Sequence, residues 1–129
     1  MKLEEEARKF MQDKLIITQV ITPDLYEQLA GETAIFPEHQ ALEYLALGLT
    51  SEAGEVAGKV KKLIRDGEDK EGFELKKIAI SHEIGDVLWY CAMMAREVGV
   101  PLNTIMRDNL EKLHSRKERG TLSGSGDDR

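Results

Sequence analysis

Residues 42–65 read LEYLALGLTSEAGEVAGKVKKLIR, and this stretch decides the fold. Apolar side chains recur there at steps of three and four residues, as one buried face of an α-helix requires. The residues on this face are Leu42, Leu45, Leu49, Ala53, Val56, Val60 and Leu63. The pattern predicts a long helix from about residue 39 to residue 65, ended by Asp66-Gly67.

A second stretch, residues 73–98, repeats this arrangement after a charged linker that reaches about residue 72. Its apolar face consists of Ile80, Ile84, Val87, Cys91, Met94 and Val98. Gly99 is expected to close this second long helix, with Pro101 just beyond it. Because the linker is short, we expect the two long helices to pack side by side and antiparallel.

Shorter helices are expected on either side of this hairpin. They cover residues 1 to about 18, a segment from Thr22-Pro23 to about residue 30, and residues 102–119. The last of them should turn a second apolar face inward, with Leu102, Ile105, Met106, Leu110 and Leu113. We predict an all-α antiparallel bundle of four to five helices, with a helical extension over residues 1–20, one domain over 21–119 and a polar flexible tail over 120–129.

The composition agrees with this assignment and limits the possible functions. Hydrophobic residues make up 41% of the 129 residues and aromatic residues only 5%, which favours helices over sheets. A net charge of -6 argues against a nucleic-acid partner, and no apolar stretch is long enough to span a membrane. The single cysteine, Cys91, and the acidic first residues suit a cytoplasmic protein.

Each long helix carries a pair of acidic residues three positions apart, Glu52 with Glu55 and Glu83 with Asp86. The pairs lie about 60° to 140° from the centres of their apolar faces, in the same rotational sense. Antiparallel packing therefore brings all four carboxylates to one edge of the hairpin. We predict a divalent-metal site, with Mg²⁺ preferred and Mn²⁺ second, because the ligands are all oxygens.

Two observations bear on this metal site in opposite directions. Glycines stand beside the acidic pairs, which suggests that a helix or a ligand approaches closely there; they are Gly54, Gly58 and Gly85. In a chain with 33% charged residues, however, an acidic pair is often only the solvated face of a helix.

Cationic side chains provide a possible counterpart to the acids. Asn109, Lys112, Arg116 and Arg119 share one face of the last helix, and Asn109 should point inward. Together with Lys59 and Lys62 they are candidates to clamp phosphate oxygens. This combination predicts a polyphosphate ligand and hydrolysis, with Glu55 or Glu52 orienting the attacking water.

Three segments, LALGLTSEAGEVAGKVKKLIRDG, HEIGDVLWY and DNLEKLHSRKERGTLSGSGDDR, resemble the MazG-like all-alpha nucleoside triphosphate pyrophosphohydrolases. The resemblance implies Mg²⁺-dependent hydrolysis of a nucleoside triphosphate to the monophosphate and pyrophosphate, in nucleotide-pool house-cleaning. It also implies that the four acids are metal ligands, that Asn109 and Lys112 contact phosphate, and that a homodimer or tetramer completes the helical core.

Alternatives remain open at this stage. The chain is also consistent with a non-catalytic helical dimer that binds nucleotide or a partner protein, and with a bundle in which the metal is structural. The base-binding residues are unknown from the sequence. The side chains that could stack on a base are Phe36, His39, Tyr44 and Trp89, although a role in the core or in an interface is favoured for each of them.

Overall fold

The computed structural model describes residues 20–67 and 69–129. These residues form four α-helices and no β-strand: α1 Pro23–Gly31, α2 Ala41–Asp66, α3 Lys70–Glu97 and α4 Leu102–Glu118, with a 3-10 turn Glu38–Gln40 before α2. The all-α class is therefore confirmed. The predicted helix over residues 1–18 lies outside the described residues, so the fifth helix of the predicted four to five stays a prediction.

The ends of α1 and α2 follow from capping residues that the sequence displays. The Thr22 side chain accepts a hydrogen bond from the Leu25 amide at 3.2 Å, which satisfies a free N–H in the first turn of α1. At the end of α2, Gly67 adopts a left-handed conformation with φ of 59° and donates its N–H to Leu63 O at 3.3 Å.

Helix α3 begins at Lys70, three residues before the predicted start. The reason is a cap, because the Asp69 carboxylate accepts a hydrogen bond from the Gly72 amide at 2.8 Å. The charged residues that suggested a longer linker thus form the first turn of the helix. The shorter connection holds the ends of α2 and α3 closely together.

Helices α2 and α3 form an antiparallel hairpin, as predicted, and make the most extensive helix–helix packing in the described chain. Leu45 of α2 packs in one cluster with Ala92 and Met93 of α3. One turn further along α2, Gly48 lies under the ring of Tyr90, earlier on α3. Later residues of α2 therefore contact earlier residues of α3, as in an antiparallel pair. This packing fixes the register of the two acidic pairs relative to each other.

Helices α1 and α4 pack at the same end of this hairpin. The Trp89 indole N–H of α3 donates to the Thr33 hydroxyl at 2.8 Å and to Ala30 O at 3.2 Å, holding the end of α1. The Glu27 side chain accepts from the Leu102 amide at 3.3 Å and so caps the start of α4. Within the described residues, α4 contacts α1 and α3 but not α2.

Burial is concentrated at this end of the molecule. The buried apolar residues are Ala30, Ala41, Leu45, Ala92, Met93 and Ala95. No described residue between positions 53 and 84 is fully buried. The predicted apolar faces are thus confirmed at Leu45 but not at Val60 or Ile84, which are 39% and 48% exposed. Within residues 20–67 and 69–129, two helices run through that half, and two helices alone cannot enclose a core.

The inward apolar face predicted for α4 is wrong within the described chain. Leu102 is half-buried, but the four residues that follow it on that face are exposed: Ile105, Met106, Leu110 and Leu113. They remain exposed because α4 extends past α1 and α3 without a further described helix to cover it. Across residues 20–67 and 69–129, no helix has the length and hydrophobicity needed to cross a bilayer.

Candidate metal and phosphate site

Three of the four predicted metal ligands meet between α2 and α3. One carboxylate oxygen from each of Glu52, Glu83 and Asp86 lies within 4.8 Å of the other two. Glu52 comes from α2, while Glu83 and Asp86 stand one turn apart on α3. The antiparallel register described above causes this convergence, as the offsets of the acids from their apolar faces predicted.

Electrostatic repulsion within this group is evident at Glu52. Partial removal from water raises the pKa of its carboxyl group, and the neighbouring charges of Asp86, Glu83 and Glu55 raise it further. All of these influences disfavour the negative charge on Glu52. A bound cation would reverse them, because it favours the charged form of each carboxylate.

The donor set fits a hard divalent ion. Mg²⁺ binds oxygen ligands at about 2.1 Å, so opposite ligands stand about 4.2 Å apart. Since three ligands cannot all be opposite one another, at least two pairs would stand about 3 Å apart around Mg²⁺. The three oxygens, which lie within 4.8 Å of one another, would therefore draw together by side-chain rotation. No histidine or cysteine belongs to the group, so its ligand chemistry suits Mg²⁺ or Mn²⁺ better than zinc.

Glu55 stands apart from the three-carboxylate group. It lies about one turn along α2 from Glu52 and is exposed, although its charge is near enough to raise the pKa of Glu52. The predicted set of four acids is therefore divided in the structure. Three acids converge, and the fourth stands beside them with its carboxylate in solvent.

The two lysines predicted from α2 have different surroundings. Lys59 Nζ lies 3.1 Å from Glu83 Oε1, and these side chains are only 29% and 17% exposed. Lys62 is exposed near the end of the helix. There the hydrogen bond from Arg65 lowers the pKa of Asp66, and the positive charge of Lys62 adds to the effect. Of these two lysines, Lys59 is the one that contacts the acid group directly.

The cationic face of α4 divides into two parts. Asn109 and Lys112 are exposed, so the prediction that Asn109 points inward is wrong, for the same reason that the apolar face of α4 is uncovered. Arg116 is 8% exposed and donates to Asp127 O at 2.7 Å. Arg119 donates to Arg129 O at 3.1 Å. The segment 120–129 folds back on the helix and engages both arginines.

A cavity of about 320 Å³ adjoins the acid group on the side of α2. Its walls come from Tyr44, Leu47, Gly48, Ser51, Glu52 and Tyr90. Burial raises the pKa of Tyr90, and interaction with the Tyr44 hydroxyl and the charges of Glu52 and Asp86 contribute. Two tyrosines therefore stand directly beside a candidate metal ligand.

Sequence reasoning missed part of this cavity. Tyr90 was not among the candidate base-binding residues, and Gly48 was not recognised as the glycine that packing requires. A Cβ atom at Gly48 would collide with the Tyr90 ring, whereas one at Gly54, Gly58 or Gly85 would meet no atom within 4 Å. Within the described chain, close packing therefore explains Gly48 and not the three glycines beside the acids.

The other base-binding candidates are distributed between packing and solvent. Trp89 is held by its hydrogen bonds to Ala30 and Thr33, which is a structural role. Phe36 stacks on Tyr44 with ring centroids 5.8 Å apart, at the edge of the cavity. His39 is exposed in the 3-10 turn.

The fold and the site define a class: an all-helical protein whose central hairpin presents a carboxylate group suited to a divalent ion. Comparison with known proteins identifies the family. Residues 40–121 match the MazG nucleotide pyrophosphohydrolase domain. Over 114 residues, the chain is also 43% identical to the gene 37 protein of Mycobacterium phage L5. These aligned residues cover 82% of this chain and 97% of that relative. No solved structure matches the chain.

The chain therefore belongs to the MazG nucleotide pyrophosphohydrolase family. The matched segment contains α2, α3 and α4, and with them all four acids and the cationic residues discussed above. The resemblance inferred from the sequence motifs is confirmed.

Proposed function

We propose that this protein hydrolyses a nucleoside triphosphate to the monophosphate and pyrophosphate with Mg²⁺ as cofactor, and that Mn²⁺ can replace it. The observation that supports this most strongly is the convergence of Glu52, Glu83 and Asp86 from two helices. Family membership supports the reaction class. We place the activity in the cytoplasm, where it would remove unwanted nucleotides from the pool.

In this proposal Glu52, Glu83 and Asp86 hold the ion, and Glu55 is the fourth acid of the site, beside the ion with its carboxylate in solvent. The ion, when bound, offsets the negative charge of the triphosphate and makes a nearby water a better nucleophile. Without it, the acid group would repel the substrate. Metal dependence is therefore a physical requirement of this site.

Glu55 is the best placed acid to act on the water, because its carboxylate is exposed beside the group and free of the constraints on the other three. We assign it the role of orienting the water and accepting its proton. Glu52 is the second choice for this role. The water oxygen forms a bond to the phosphorus atom nearest the nucleoside. The anhydride bond between the first and second phosphates breaks, and pyrophosphate leaves with the electron pair of that bond.

Besides the ion, the phosphates need cationic and hydrogen-bond-donating side chains. Lys59 and Lys62 reach them from α2, and Asn109 and Lys112 from the exposed face of α4. Since α4 does not contact α2 within the described chain, we assign the α4 contribution to a second copy of the protein. Arg116 and Arg119 would take part only after releasing the carbonyl oxygens of the tail.

The nucleoside is assigned to the cavity beside Glu52. Tyr44 and Tyr90 offer aromatic surface and hydroxyl groups there, which suits a base and its sugar. The cavity lies on the same side as the acid group, as a substrate with joined base and phosphates requires. Which base or sugar is preferred is a question for experiment.

A homodimer or tetramer is the proposed assembly, without nucleic-acid or membrane partners. Apolar side chains are exposed along the half of the hairpin in which no described residue is buried, among them Val60, Ile64, Ile78 and Ile84. A second copy packed there would convert two helices into a four-helix core. Light scattering behind a size-exclusion column should give a mass of two or four chains, and a monomer at micromolar concentration would contradict the proposal.

The activity is tested with a panel of canonical, deoxy and modified nucleoside triphosphates in the presence of Mg²⁺. We expect stoichiometric monophosphate and pyrophosphate from at least one substrate, and no reaction in EDTA. Release of inorganic phosphate instead of pyrophosphate would contradict the assigned bond cleavage. No turnover of any substrate by folded protein would favour a non-catalytic binding dimer.

A further inference from the structure

Lys59 has a position that its role as a phosphate clamp does not explain. Its ammonium group is 3.1 Å from Glu83 Oε1, and Glu83 is one of the three converging acids. Both side chains are largely withdrawn from solvent. The contact therefore differs from exposed ion pairs on the same hairpin, such as Lys77 with Glu74, whose side chains are 53% and 57% exposed.

The charge balance of the acid group gives this contact a function. Three carboxylates whose oxygens lie within 4.8 Å repel each other, and a cation at their edge offsets part of that repulsion. Lys59 provides such a charge from α2 to an acid of α3, so it also links the two helices. The ammonium supports the ligand geometry while no divalent ion is bound.

The same contact is unfavourable once a divalent ion binds. An ion bound to the same Glu83 oxygen would stand within about 5 Å of Lys59 Nζ, and the two positive charges repel each other. Lysine has a long flexible stem and a strongly hydrated ammonium, so it can leave the pair at low cost. Ion binding and the Lys59–Glu83 contact therefore compete.

We propose that Lys59 is the resident counter-ion of the acid group and that the divalent ion displaces it from Glu83. This inference rests on the proposed metal site. It makes Lys59 a positioning residue whose ammonium moves out of the ligand set when the ion enters. The displaced ammonium then lies beside the ion, where the triphosphate is expected to bind.

Lysine labelling in the wild-type protein tests the displacement directly. A limited dose of an acetylating reagent is applied with and without saturating Mg²⁺, and mass spectrometry follows Lys59 and Lys61. Lys61 is the internal control, since it is exposed on a different face of α2. We expect Mg²⁺ to raise the labelling of Lys59 about threefold or more and to leave Lys61 unchanged. Unchanged or reduced labelling of Lys59 would overturn the proposal.

Metal affinity gives an independent measurement, made by calorimetry with Mn²⁺ and no nucleotide. Lys59→Met removes the competing charge, so Mn²⁺ should bind about three- to tenfold more tightly. Lys59→Arg keeps the charge and should stay near the wild-type affinity. Lys61→Met makes the same change in net charge outside the acid group and should have little effect. Weaker Mn²⁺ binding in Lys59→Met would show that the lysine supports the ion, against the proposal.

These measurements separate the proposal from the enzymatic activity. A protein that binds Mn²⁺ more tightly after Lys59→Met but hydrolyses no triphosphate would support the counter-ion role and refute the proposed reaction. If the wild-type protein hydrolyses triphosphates but Lys59→Met leaves the Mn²⁺ affinity unchanged, the proposed reaction would be supported and the counter-ion role refuted. Absence of Mn²⁺ binding to the wild-type protein would refute both the metal site and the counter-ion role.

Discussion

The acid group of the hairpin and the cationic face of α4 are both predicted from residues that repeat at helical spacing. In the structure, the residues of the acid group lie together, whereas those of the cationic face have different surroundings. Glu52, Glu83 and Asp86 converge between two helices whose register is fixed by packing. The four residues of the cationic face do not act as one set, because three of them are exposed, Arg116 is buried, and the tail engages both arginines.

The difference lies in what surrounds each helix. In the hairpin, a short linker and the cluster around Leu45 leave little freedom in how α2 meets α3. Helix α4 is held mainly at its first turn, by the Glu27 cap and by Leu102. Its last turn contacts the tail through Arg116 and Arg119. The residues on one face of a helix predict its contacts only where the position of the neighbouring helix can be predicted as well.

The largest effect is expected from breaking the acid group itself. Asp86→Asn removes the charge of one ligand while keeping its shape, so pyrophosphate release should fall at least about 100-fold. Asp66→Asn is the matched control, since Asp66 pairs with Arg65 at the end of α2, away from the acid group. Activity of Asp86→Asn above a third of the wild-type value would show that the three acids are not a catalytic metal site.

A second substitution separates Glu55 from the three converging acids. Glu55→Gln should lower kcat about 100-fold through loss of a proton acceptor. The affinity for Mn²⁺ should change less than about threefold, because solvent screens the exposed carboxylate. Single-turnover kinetics and calorimetry provide the two values. If Mn²⁺ affinity falls as far as in Asp86→Asn, Glu55 is a ligand in solution and its exposed position in the structure is not the working one.

The two parts of the cationic face are separated by a pair of substitutions on α4. Lys112→Ala should raise KM about tenfold and leave the melting temperature unchanged, because the side chain is exposed. Arg116→Ala should lower the free energy of unfolding by about 1–3 kcal/mol with little change in KM, because Arg116 is buried against the tail. A raised KM with unchanged stability in Arg116→Ala would return that arginine to the phosphate site.

The smallest effect concerns pH and Glu52. Because the pKa of Glu52 is raised in the folded state, the folded protein binds the carboxyl proton of Glu52 more tightly than the unfolded chain does. The contribution of this group to stability is therefore present at low pH and is lost as the pH rises through the pKa of Glu52 in the folded state. Glu52→Gln removes this loss. In EDTA, the melting temperature of the variant should therefore rise relative to that of the wild type as the pH increases above the ordinary pKa of glutamate, about 4.3. A constant difference would show that Glu52 is not strained by its neighbours.

Much of this architecture can be predicted from the sequence because its signals are local. Thr22 before a proline, Gly67 and Gly99 after apolar faces, and the steps of three and four residues locate the helices to within a few positions. The offsets of the acids from these faces also predict which edge of the hairpin they share. Such inferences need only helical geometry and one antiparallel contact.

The remaining features depend on neighbours that no local pattern identifies. Lys59 pairs with Glu83 because of the register between two helices, and Tyr90 lies on Gly48 for the same reason. The burial of Arg116 depends on a tail whose sequence is small and polar. The outward direction of Asn109 depends on the absence of a described helix beside that part of α4.

Paramagnetic broadening by Mn²⁺ tests most directly whether two antiparallel helices hold one ion. In amide-resolved NMR spectra, trace Mn²⁺ should broaden the signals around Glu52 on α2 and around Glu83 and Asp86 on α3 together, and excess Mg²⁺ should restore them. Broadening confined to one helix, or centred on the acidic tail at Asp127 and Asp128, would contradict the account.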